Sequence, residues 1–177
     1  MLNIGLIGTG RMGREISRLA PEKGHRVAVS FNRSQPLTRD ALDENIDVFI
    51  DFSHPGAVVG HVGMLADLRA SLVLGTTGWH EQLEEVRSRA LSSGMALVHA
   101  PNFSVGVSAF LRIVQAAGRI FDPLPDYDAF IHESHHLGKV DSPSGTALAL
   151  AEGLMEQLRR KSEICTDVSS DPIGPQQ

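Results

Sequence analysis

The sequence lacks several features that mark whole classes of protein. Its single cysteine, Cys165, excludes an internal disulfide framework and favours a reducing compartment. It has no run of about 20 apolar residues to span a bilayer, and its first residues lack the charged start and long apolar run of a secretory signal. The formal net charge of −5 argues against the basic surface of a nucleic-acid binder. These absences predict a cytoplasmic protein with no membrane or nucleic-acid partner.

What the sequence does have is an ordinary apolar content and a surplus of glycine. The 177 residues are 42% hydrophobic and 21% charged, which is typical of one globular domain, or of one domain with a small appendage. The 17 glycines make up about a tenth of the chain, against a usual ~7%. This surplus predicts tight turns and close backbone approaches.

Through the first part of the chain, short apolar runs alternate with longer amphipathic stretches. The predicted strands are Asn3–Ile7, Arg26–Phe31, Val48–Asp51, Ser71–Leu74 and Ala96–His99. The predicted helices between them are Arg11–Lys23, Pro55–Leu68 and His80–Ser92. Such repetition of strand, helix and strand favours a parallel sheet. Residues 32–47 break the alternation and are predicted to be a loop with about one helical turn.

A different pattern begins near Asn102. Apolar residues at helical spacing predict a helix over Val105–Phe121, and a second helix is predicted over Thr146–Lys161. Between them, Asp128–Glu133 is predicted to be a strand. After the second helix the sequence shows no apolar periodicity.

The first glycine motif stands between the first predicted strand and the first predicted helix, and reads Gly8-Thr9-Gly10-Arg11-Met12-Gly13. A G-x-G-x-x-G sequence in this context is typical of a dinucleotide-binding turn. Gly8 permits the tight turn, Gly10 lets the backbone approach a pyrophosphate, and Gly13 lets the helix pack closely. The free N–H groups at the helix start would then face the phosphates. The alternative is a glycine-rich turn that binds nothing.

The end of the second predicted strand bears on which dinucleotide is bound. Enzymes that use NAD usually carry an acidic residue about 20 positions after the glycines, but here the sequence offers Asn32 and Arg33. A guanidinium matches the geometry of a 2′-phosphate, and neutral Asn32 would not repel that group. The sequence therefore favours NADPH over NADH. The alternative is that Arg33 is an ordinary surface arginine.

Two further turns follow predicted strands, at the ends where open α/β sheets bind ligands. They read Gly75-Thr76-Thr77-Gly78 and Ala100-Pro101-Asn102-Phe103. Both are placed to flank a nicotinamide ring. Without a ligand, both would be ordinary loops between a strand and a helix.

The segment from His132 to Thr146 is the densest group of reactive side chains. Residues 132–136 match H-E-x-x-H, which binds zinc between its two histidines when it lies on a helix. A predicted strand precedes the motif, however, and Gly138 interrupts any helix after it. We therefore expect no bound metal, and zinc hydrolysis remains the minor alternative.

The same segment, interpreted as a loop, carries groups suited to proton transfer. Histidine titrates near neutral pH and lysine can be tuned toward it, so His135 and Lys139 are candidate proton donors. Ser144-Gly145-Thr146 opens the following helix, whose first N–H groups suit an anion such as a carboxylate. A cationic loop that leads into such a helix start predicts a small dicarboxylate substrate.

These patterns predict an α/β fold with two domains. Residues 1–103 are expected to form a Rossmann-type, parallel-sheet domain that binds a dinucleotide. Residues 104–161 are expected to form a smaller α+β substrate-binding domain. Residues 162–177 are predicted to be an irregular or disordered tail.

Five segments, taken in chain order, carry motifs that occur together in one family. They are Gly8–Gly13, Asp51-Phe52-Ser53, Gly75-Thr76-Thr77-Gly78, Asn102-Phe103-Ser104-Val105-Gly106, and Glu133-Ser134-His135-His136-x-x-Lys139-x-Asp141-Ser142-Pro143-Ser144-Gly145-Thr146-Ala147. From residue 2 to about residue 160, the chain resembles the dihydrodipicolinate reductase family of diaminopimelate and lysine biosynthesis. The last segment is the most specific of the five.

The resemblance implies a reductase that uses NADPH or NADH to convert 4-hydroxy-tetrahydrodipicolinate, with loss of water, to tetrahydrodipicolinate. It implies that Gly8–Gly13 binds the dinucleotide, that Arg33 contacts the 2′-phosphate, and that the two later turns flank the nicotinamide. It implies proton transfer by His135 and Lys139. The substrate carboxylates would be bound by His136, Ser144, Gly145 and Thr146.

Members of the resembled family continue well beyond the last of these motifs, with further strands of the substrate-domain sheet. The resemblance therefore implies that residues 104–161 form an incomplete, partial substrate-binding domain. The homotetramer of the family is built largely on that sheet, so the resemblance leaves the oligomeric state of this chain open. The alternative to an active reductase is therefore a non-catalytic NADP-binding remnant of the enzyme.

Overall fold

The computed structural model describes residues 1–42, 45–135 and 142–166. The chain separates into two units, Met1–Phe103 and Ser104–Gln177. The first unit contains the parallel sheet, and the described residues of the second form helices and irregular segments.

Five parallel strands form the sheet of the first unit in the order β2-β1-β3-β4-β5. Their bounds are β1 Asn3–Ile7, β2 Arg26–Phe31, β3 Val48–Asp51, β4 Leu72–Leu74 and β5 Leu97–His99. The first three strands have the predicted bounds, and the last two each begin one residue later than predicted. The predicted parallel sheet is confirmed.

The helices of this unit are α1 Arg11–Glu22, α2 Val58–Asp67 and α3 Leu83–Ser93. The stretches predicted as the second and third helices each begin as a 3₁₀ turn, over Pro55–Ala57 and His80–Gln82. Such tighter turns are frequent at the start of α-helices. In its described residues the segment 32–47 is a loop with one 3₁₀ turn, as predicted.

The strand order reverses at β1, and this reversal locates the ligand-binding edge. The connection from β1 to β2 runs one way along the sheet, while those from β3 to β4 and from β4 to β5 run the other way. Because crossovers between parallel strands are right-handed, α1 lies on the opposite face from α2 and α3. The loops that follow β1 and β3 therefore diverge, which opens the crevice where such sheets bind ligands.

The core of the first unit lies where α2 and α3 cover the sheet. Val58, Val62 and Leu65 stand on one face of α2, and each is at most 1% exposed. They belong to one apolar cluster with Phe49 of β3 and Leu72 of β4. Full burial of such a side chain contributes about 1.5–3 kcal/mol. This packing fixes α2 against the strands whose ends form the candidate site.

The second unit is built on α4 Val105–Phe121 and α5 Gly145–Met155. The two helices approach closely at two glycines. A Cβ on Gly118 would lie 3.0 Å from Cβ of Gln157, and a Cβ on Gly153 would lie 3.3 Å from Cγ of Gln115. Neither these helices nor any other within the described residues is long and apolar enough to cross a membrane.

The strand predicted over Asp128–Glu133 is wrong. These residues form neither helix nor strand, and the described part of their unit contains no strand that would pair with them. An isolated strand leaves its backbone N–H and C=O groups without partners. Phe130 is instead 91% exposed, and Asp128 accepts a hydrogen bond from Nζ of Lys161 at 2.8 Å.

The helix predicted to reach Lys161 ends earlier, at Met155. Beyond its end, the backbone N–H of Arg159 donates to Oδ1 of Asp122 at 2.8 Å instead of to a carbonyl of its own helix. The guanidinium of Arg160 donates to the last carbonyl group of α4 and to carbonyl groups of the turn after it. These basic residues therefore form hydrogen bonds with groups at the end of α4 instead of extending their own helix. Helical periodicity does not reveal such competing hydrogen bonds.

Candidate functional site

The carboxyl ends of the strands bring the predicted cofactor residues of the first unit to one edge of its sheet. The turns at this edge are Gly8–Gly10, Asn32–Arg33, Phe52–Ser53, Gly75–Thr77 and Ala100–Phe103, which follow β1 to β5 in that order. Neighbouring turns are tied together at the strand ends. The N–H of Gly8 donates to the carbonyl of Phe31, and that of Gly75 to the carbonyl of Asp51, both at 2.9 Å.

The three glycines of the first turn have different surroundings. Gly8 has a φ of +96°, and a Cβ on it would lie 2.2 Å from the carbonyl oxygen of Phe52. A Cβ on Gly13 would lie 2.0 Å from the carbonyl oxygen of Gly8. Gly10 and Thr9 are exposed, and a Cβ on Gly10 would meet no atom within 4 Å. Internal packing thus requires Gly8 and Gly13, whereas Gly10 leaves open space beside the backbone.

Helix α1 begins without a side-chain cap. The residue before it is Gly10, and the exposed Arg11 and Met12 form its first turn. By contrast, α4 and α5 follow Ser104 and Ser144, whose hydroxyl oxygens accept a hydrogen bond from an N–H of the first turn. The first N–H groups of α1 are therefore left for a ligand or water. The positive end of the helix dipole favours an anion there.

The turn after β2 is braced by the side chain of Asn32. Its Oδ1 accepts from the N–H groups of Ser34 at 2.8 Å and of Gln35 at 3.1 Å. The adjacent Arg33 is exposed, and its guanidinium forms no hydrogen bond or ion pair with the residues that the structure describes. The turn therefore holds the backbone at Arg33 and leaves its side chain available to a phosphate.

Thr76, in the turn after β4, directs its polar groups into the protein. Its N–H donates to the carbonyl of Asp51 at 3.2 Å, and its hydroxyl donates to the Asp51 carboxylate at 2.9 Å. Its carbonyl accepts from Nε1 of Trp79 at 2.6 Å. Thr76 is 5% exposed, whereas Thr77 is exposed. A ligand at this edge would therefore meet Thr77, with Thr76 holding the turn from beneath.

Asp51, the last residue of β3, is the centre of a buried polar network. It is 0% exposed, and its Oδ1 accepts from the N–H of Ser53 at 2.9 Å as well as from the Thr76 hydroxyl. Its Oδ2 accepts from Nδ1 of His61 on α2 at 2.8 Å. Both oxygens of the buried carboxylate are thus hydrogen-bonded, as burial of a polar group requires.

The ring of Phe52 lies between the turns that follow β4 and β5. A Cβ on Gly75 would lie 2.2 Å from this ring, so a larger residue at that position would displace it. Phe103 also meets this ring edge-on, with centroids 6.2 Å apart. Ala100 is half-buried, while Pro101, Asn102 and Phe103 are exposed at the edge.

His99 ends β5 beneath the last of these turns. Its ring meets Trp79 edge-on with centroids 4.5 Å apart, and its Nε2 is buried with no hydrogen-bond partner in the described part of the chain. Burial, and to a smaller extent His80, lowers the pKa of His99 below 6.5. The neutral ring therefore serves as packing for the turn.

In the second unit, Glu133 organises the start of α5. Its Oε1 accepts from the N–H of Ser144 at 2.8 Å, and its Oε2 accepts from the Ser144 hydroxyl. Ser144 is 3% exposed, and its Oγ accepts from the N–H of Ala147 at 3.1 Å. Gly145 and Thr146 are exposed, and no described residue accepts from their N–H groups. The donors of Ser144 are thus used internally, and those of the next two residues are open to an anion.

Among the predicted catalytic residues, the structure describes only His135. This residue is exposed, and its Nδ1 lies 3.5 Å from Oε2 of Glu133. The carboxylate that holds Ser144 at the start of α5 therefore also faces His135. Lys139 and His136 lie outside the described residues.

The zinc interpretation needs a helix through residues 132–136. Residues 131–135 form neither helix nor strand, and His136 lies outside the described residues. Within the described ranges, no three His, Cys, Asp or Glu side chains converge as a metal site. The four described residues of the motif thus lack the helical geometry that H-E-x-x-H requires.

Asp51, His61 and Glu133 are central to the hydrogen bonds of the two candidate sites, although no sequence motif predicted a role for them. A carboxylate that ends a buried strand needs a polar partner, and this alone would have drawn attention to Asp51. A histidine on the apolar face of α2 is the same kind of signal. The contact that joins Asp51 of β3 to His61 of α2 is a property of the tertiary fold.

Comparison with known families matches both units of the chain. The family model for the N-terminus of dihydrodipicolinate reductase matches residues 2–103, and the model for the C-terminus of dihydrodipicolinate reductase matches residues 106–171. The two matches meet at the boundary between the units.

Two curated relatives are both called 4-hydroxy-tetrahydrodipicolinate reductase. The relative from Christiangramia forsetii is 36% identical over 156 residues, which cover 88% of this chain and 65% of that protein. The relative from Psychrobacter arcticus is 36% identical over 179 residues, which cover 88% of this chain and 63% of that protein. The chain therefore spans less than two thirds of the length of either relative.

A solved structure is similar over nearly the whole chain. It is the dipicolinate-bound dihydrodipicolinate reductase from Paenisporosarcina sp. TG-14, with a TM-score of 0.64 over 96% of this chain and 72% of that one. The two sequences are 22% identical in this alignment. The similarity supports the fold, and the sequence comparisons identify the family.

Proposed function

The chain belongs to the dihydrodipicolinate reductase family, and we propose that it uses NADPH or NADH to reduce 4-hydroxy-tetrahydrodipicolinate to tetrahydrodipicolinate. The proposal is supported by the family matches to both units and by the two relatives that carry the name of this activity. Because the chain spans less than two thirds of those relatives, its own activity must be measured on the chain itself.

The start of α1 is the single observation that carries the proposal. A pyrophosphate is a strong acceptor of hydrogen bonds, and a helix start with free N–H groups and a nearby glycine backbone suits it. Here the helix has no side-chain cap, and a Cβ on Gly10 would meet nothing within 4 Å. The residues present therefore fit a dinucleotide, which Gly8–Gly13 would hold by its phosphates.

The turn after β2 supports a preference for NADPH. The guanidinium of Arg33 is exposed on a turn that Asn32 braces. Charge-assisted contacts between arginine and phosphate are among the stronger polar contacts, and no carboxylate stands at this position to favour the unphosphorylated ribose. We therefore expect NADPH to bind at least as tightly as NADH.

Titration calorimetry with both nucleotides tests this preference. Arg33→Ala should weaken NADPH binding about tenfold and leave NADH binding almost unchanged. Arg87→Ala, an exposed arginine on α3, is the matched control and should alter neither. A chain that prefers NADH tenfold, with no change in Arg33→Ala, would contradict the assignment of Arg33.

For the substrate, we propose that the start of α5 holds one carboxylate. The N–H groups of Gly145 and Thr146 are exposed, and Glu133 already uses the donors of Ser144. The solved relative from Paenisporosarcina binds dipicolinate, a planar ring with two carboxylates, which is the class of ligand that such a site suits. His136, which lies outside the described residues, is assigned to neutralise this carboxylate.

The reaction takes up one hydride and one proton and releases one water. When bound, the nicotinamide ring supplies the hydride to the conjugated imine. Lys139 is assigned as a proton donor, and His135 as the group that gives or accepts a proton during loss of the hydroxyl. His135 lies 3.5 Å from the Glu133 carboxylate, which would orient the imidazole.

A coupled assay of this chain with freshly made substrate and NADPH tests the activity. Lys139→Ala and His135→Ala should each lower kcat by about 10²–10⁴-fold without changing NADPH affinity. Thr146→Val should mainly raise KM. Lys23→Ala, a lysine at the end of α1, is the control. A wild-type chain that binds NADPH but shows no turnover would favour the non-catalytic remnant instead.

A further inference from the structure

A histidine beneath the ligand edge is joined to the turn after β4 through a buried carboxylate. Nδ1 of His61 donates to Oδ2 of Asp51 at 2.8 Å. The other oxygen of Asp51 accepts from the hydroxyl of Thr76 and the N–H of Ser53, both at 2.9 Å. His61 lies on α2, so this network ties a helix to the ends of two strands.

Thr76 has no polar group left for a ligand. Besides its bonds to Asp51, its Oγ1 accepts from the N–H of Ser53 at 2.8 Å, and its carbonyl accepts from Trp79 at 2.6 Å. The position of the whole turn Gly75–Thr77 is therefore set by how Thr76 is held. The exposed Thr77, one residue further, follows that position.

His61 is the only described partner of the second oxygen of the Asp51 carboxylate. The side chain of His61 is 15% exposed and that of Asp51 is 0% exposed, so water has little access to replace the contact. Without His61, Oδ2 of Asp51 would have no partner among the described residues, and a buried acceptor without a partner is costly. The carboxylate would then turn toward new donors and take Thr76 with it, since buried polar networks act as a unit.

We propose that His61 is a positioning residue for the nicotinamide end of the dinucleotide site. It acts through Asp51 and Thr76 to set the Gly75–Thr77 turn, in the way that supporting hydrogen bonds hold a binding group in its productive geometry. The inference rests on the proposed function, because that function places the nicotinamide beside this turn.

A purely structural role makes a different prediction. General loosening of the first unit would weaken every ligand of the sheet edge to a similar extent. A positioning role affects only the half of the dinucleotide that lies at the β4 turn. The two are separated by comparing NADPH with 2′-phospho-ADP-ribose, which keeps the adenine, the phosphates and the 2′-phosphate but lacks the nicotinamide.

The experiment uses the full chain and measures the Kd of both nucleotides by calorimetry. His61→Ala should weaken NADPH binding about tenfold and leave 2′-phospho-ADP-ribose unchanged. His61→Asn should restore most of the NADPH affinity, because its amide N–H stands near the place of Nδ1. His25→Ala is the matched control, since His25 precedes β2 at the opposite edge of the sheet.

The single tryptophan gives an independent readout. Trp79 donates to the carbonyl of Thr76, so a displaced turn should shift its emission spectrum in His61→Ala and not in His61→Asn or His25→Ala. If His61→Ala does not fold, His61→Gln takes its place, because its longer side chain carries the amide one bond beyond the position of Nδ1. It should weaken NADPH binding and shift the Trp79 emission as expected for His61→Ala.

The outcomes separate this proposal from the proposed function. Equal weakening of both nucleotides, or no weakening of either, overturns the positioning role alone. A wild-type chain that binds 2′-phospho-ADP-ribose as tightly as NADPH also overturns it, because the nicotinamide would then contribute nothing. A wild-type chain that binds neither nucleotide overturns the proposed function and this inference together.

Discussion

In the first unit, large apolar side chains such as Trp79 and Leu65 are at most 1% exposed, while in the second Phe130 is 91% exposed. Of the buried apolar side chains in the described ranges, only Ala147 and Leu158 belong to the second unit. A sheet with helices on both faces encloses its own apolar side chains, whereas two packed helices leave most of theirs in solvent. The first unit thus has a core of its own, and the second has little of one.

The second unit relies instead on polar contacts near the ends of its helices. Asp122 accepts from Nε of Arg159 at 2.7 Å and from its backbone N–H at 2.8 Å, and these bonds lower the pKa of Asp122. Lys161 donates to Asp128 at 2.8 Å and lowers the pKa of that carboxyl. Each of these ion pairs has one exposed partner, and ion pairs that reach solvent contribute little compared with buried apolar area. The comparison therefore predicts units of unequal stability.

The largest expected effect comes from separating the units. Residues 1–103 expressed alone should unfold in one cooperative transition, because the apolar cluster lies entirely within them. Residues 104–177 alone should show helical circular dichroism without a cooperative transition, and should bind the dye ANS. Thermal unfolding followed by circular dichroism, together with ANS fluorescence, measures both properties.

The full chain, measured under the same conditions, is the control for this experiment. Its main transition should resemble that of residues 1–103. A sharp, cooperative transition in residues 104–177 alone would contradict the comparison. It would mean that the polar contacts of Asp122 and its neighbours suffice to define a fold.

A smaller effect is expected from adding one methyl group in each unit. Gly13→Ala should destabilise the chain by about 3 kcal/mol, because its Cβ would lie 2.0 Å from a backbone oxygen of Gly8. Gly118→Ala should change stability by less than about 1 kcal/mol. Its obstacle is the Cβ of Gln157 at 3.0 Å, and alanine favours a helix over glycine by about 1 kcal/mol. Urea unfolding of the two full-length variants compares them.

Gly10→Ala is the control for these substitutions, since its Cβ would meet nothing within 4 Å. It should leave the unfolding midpoint unchanged and, under the proposed function, weaken NADPH binding by filling the space beside the backbone. An unchanged midpoint for Gly13→Ala would show that the start of α1 does not pack against Gly8 as described.

Much of the first unit could be predicted because its determinants are local. Apolar runs separated by turn residues located the strands, and the G-x-G-x-x-G spacing located the turn before α1. The network of Asp51, His61 and Thr76 could not be predicted in this way. Asp51 and Thr76 are 25 residues apart in the chain and meet because β3 pairs with β4. His61 reaches the same carboxylate from α2, a contact that no local pattern specifies.

In the second unit, local rules failed where another part of the unit competes for the same groups. The helical pattern continues past Met155, but Arg159 finds its acceptor on Asp122 and the helix ends. The short apolar run within residues 128–133 resembles a strand, yet a strand also needs a neighbour for its hydrogen bonds. The serine before α5 was predicted as a helix start, and its capping bond to Ala147 is present.

A third and smaller effect is expected from replacing each of the two serines that cap helices in the second unit. Ser144→Ala should cost about 1–2 kcal/mol, because it removes the cap and one donor to Glu133. Ser104→Ala is the matched variant on α4. It should cost less, because Ser104 is exposed and its bond to the N–H of Val107 is longer, at 3.4 Å. Equal losses in urea unfolding would show that Glu133 adds nothing to the start of α5.

The smallest expected effect is a difference in the pH dependence of the two units. In the second, the guanidinium and then the N–H of Arg159 hold the pKa of Asp122 below 3.8. This contact therefore stabilises the folded chain above pH 3.8, and its contribution is lost as the pH falls below 3.8 through the lower folded pKa. Asp122→Asn should be less stable than wild type above this range and should converge with it below. Asp126→Asn, a nearby exposed carboxyl, is the control.

In the first unit, the pH dependence should begin at a higher pH. Burial, and then His80, lowers the pKa of His99 below 6.5, so the unfolded chain takes up the proton more readily than the folded one. Stability should therefore decline as the pH falls below 6.5 through the lower folded value. His99→Phe keeps an aromatic ring beside Trp79 and removes the titrating group, so it should abolish this part of the decline and leave the part due to Asp122. Thermal unfolding of the variants between pH 8 and pH 3 distinguishes the two ranges, since a decline below 6.5 that persists in His99→Phe would assign it to another histidine.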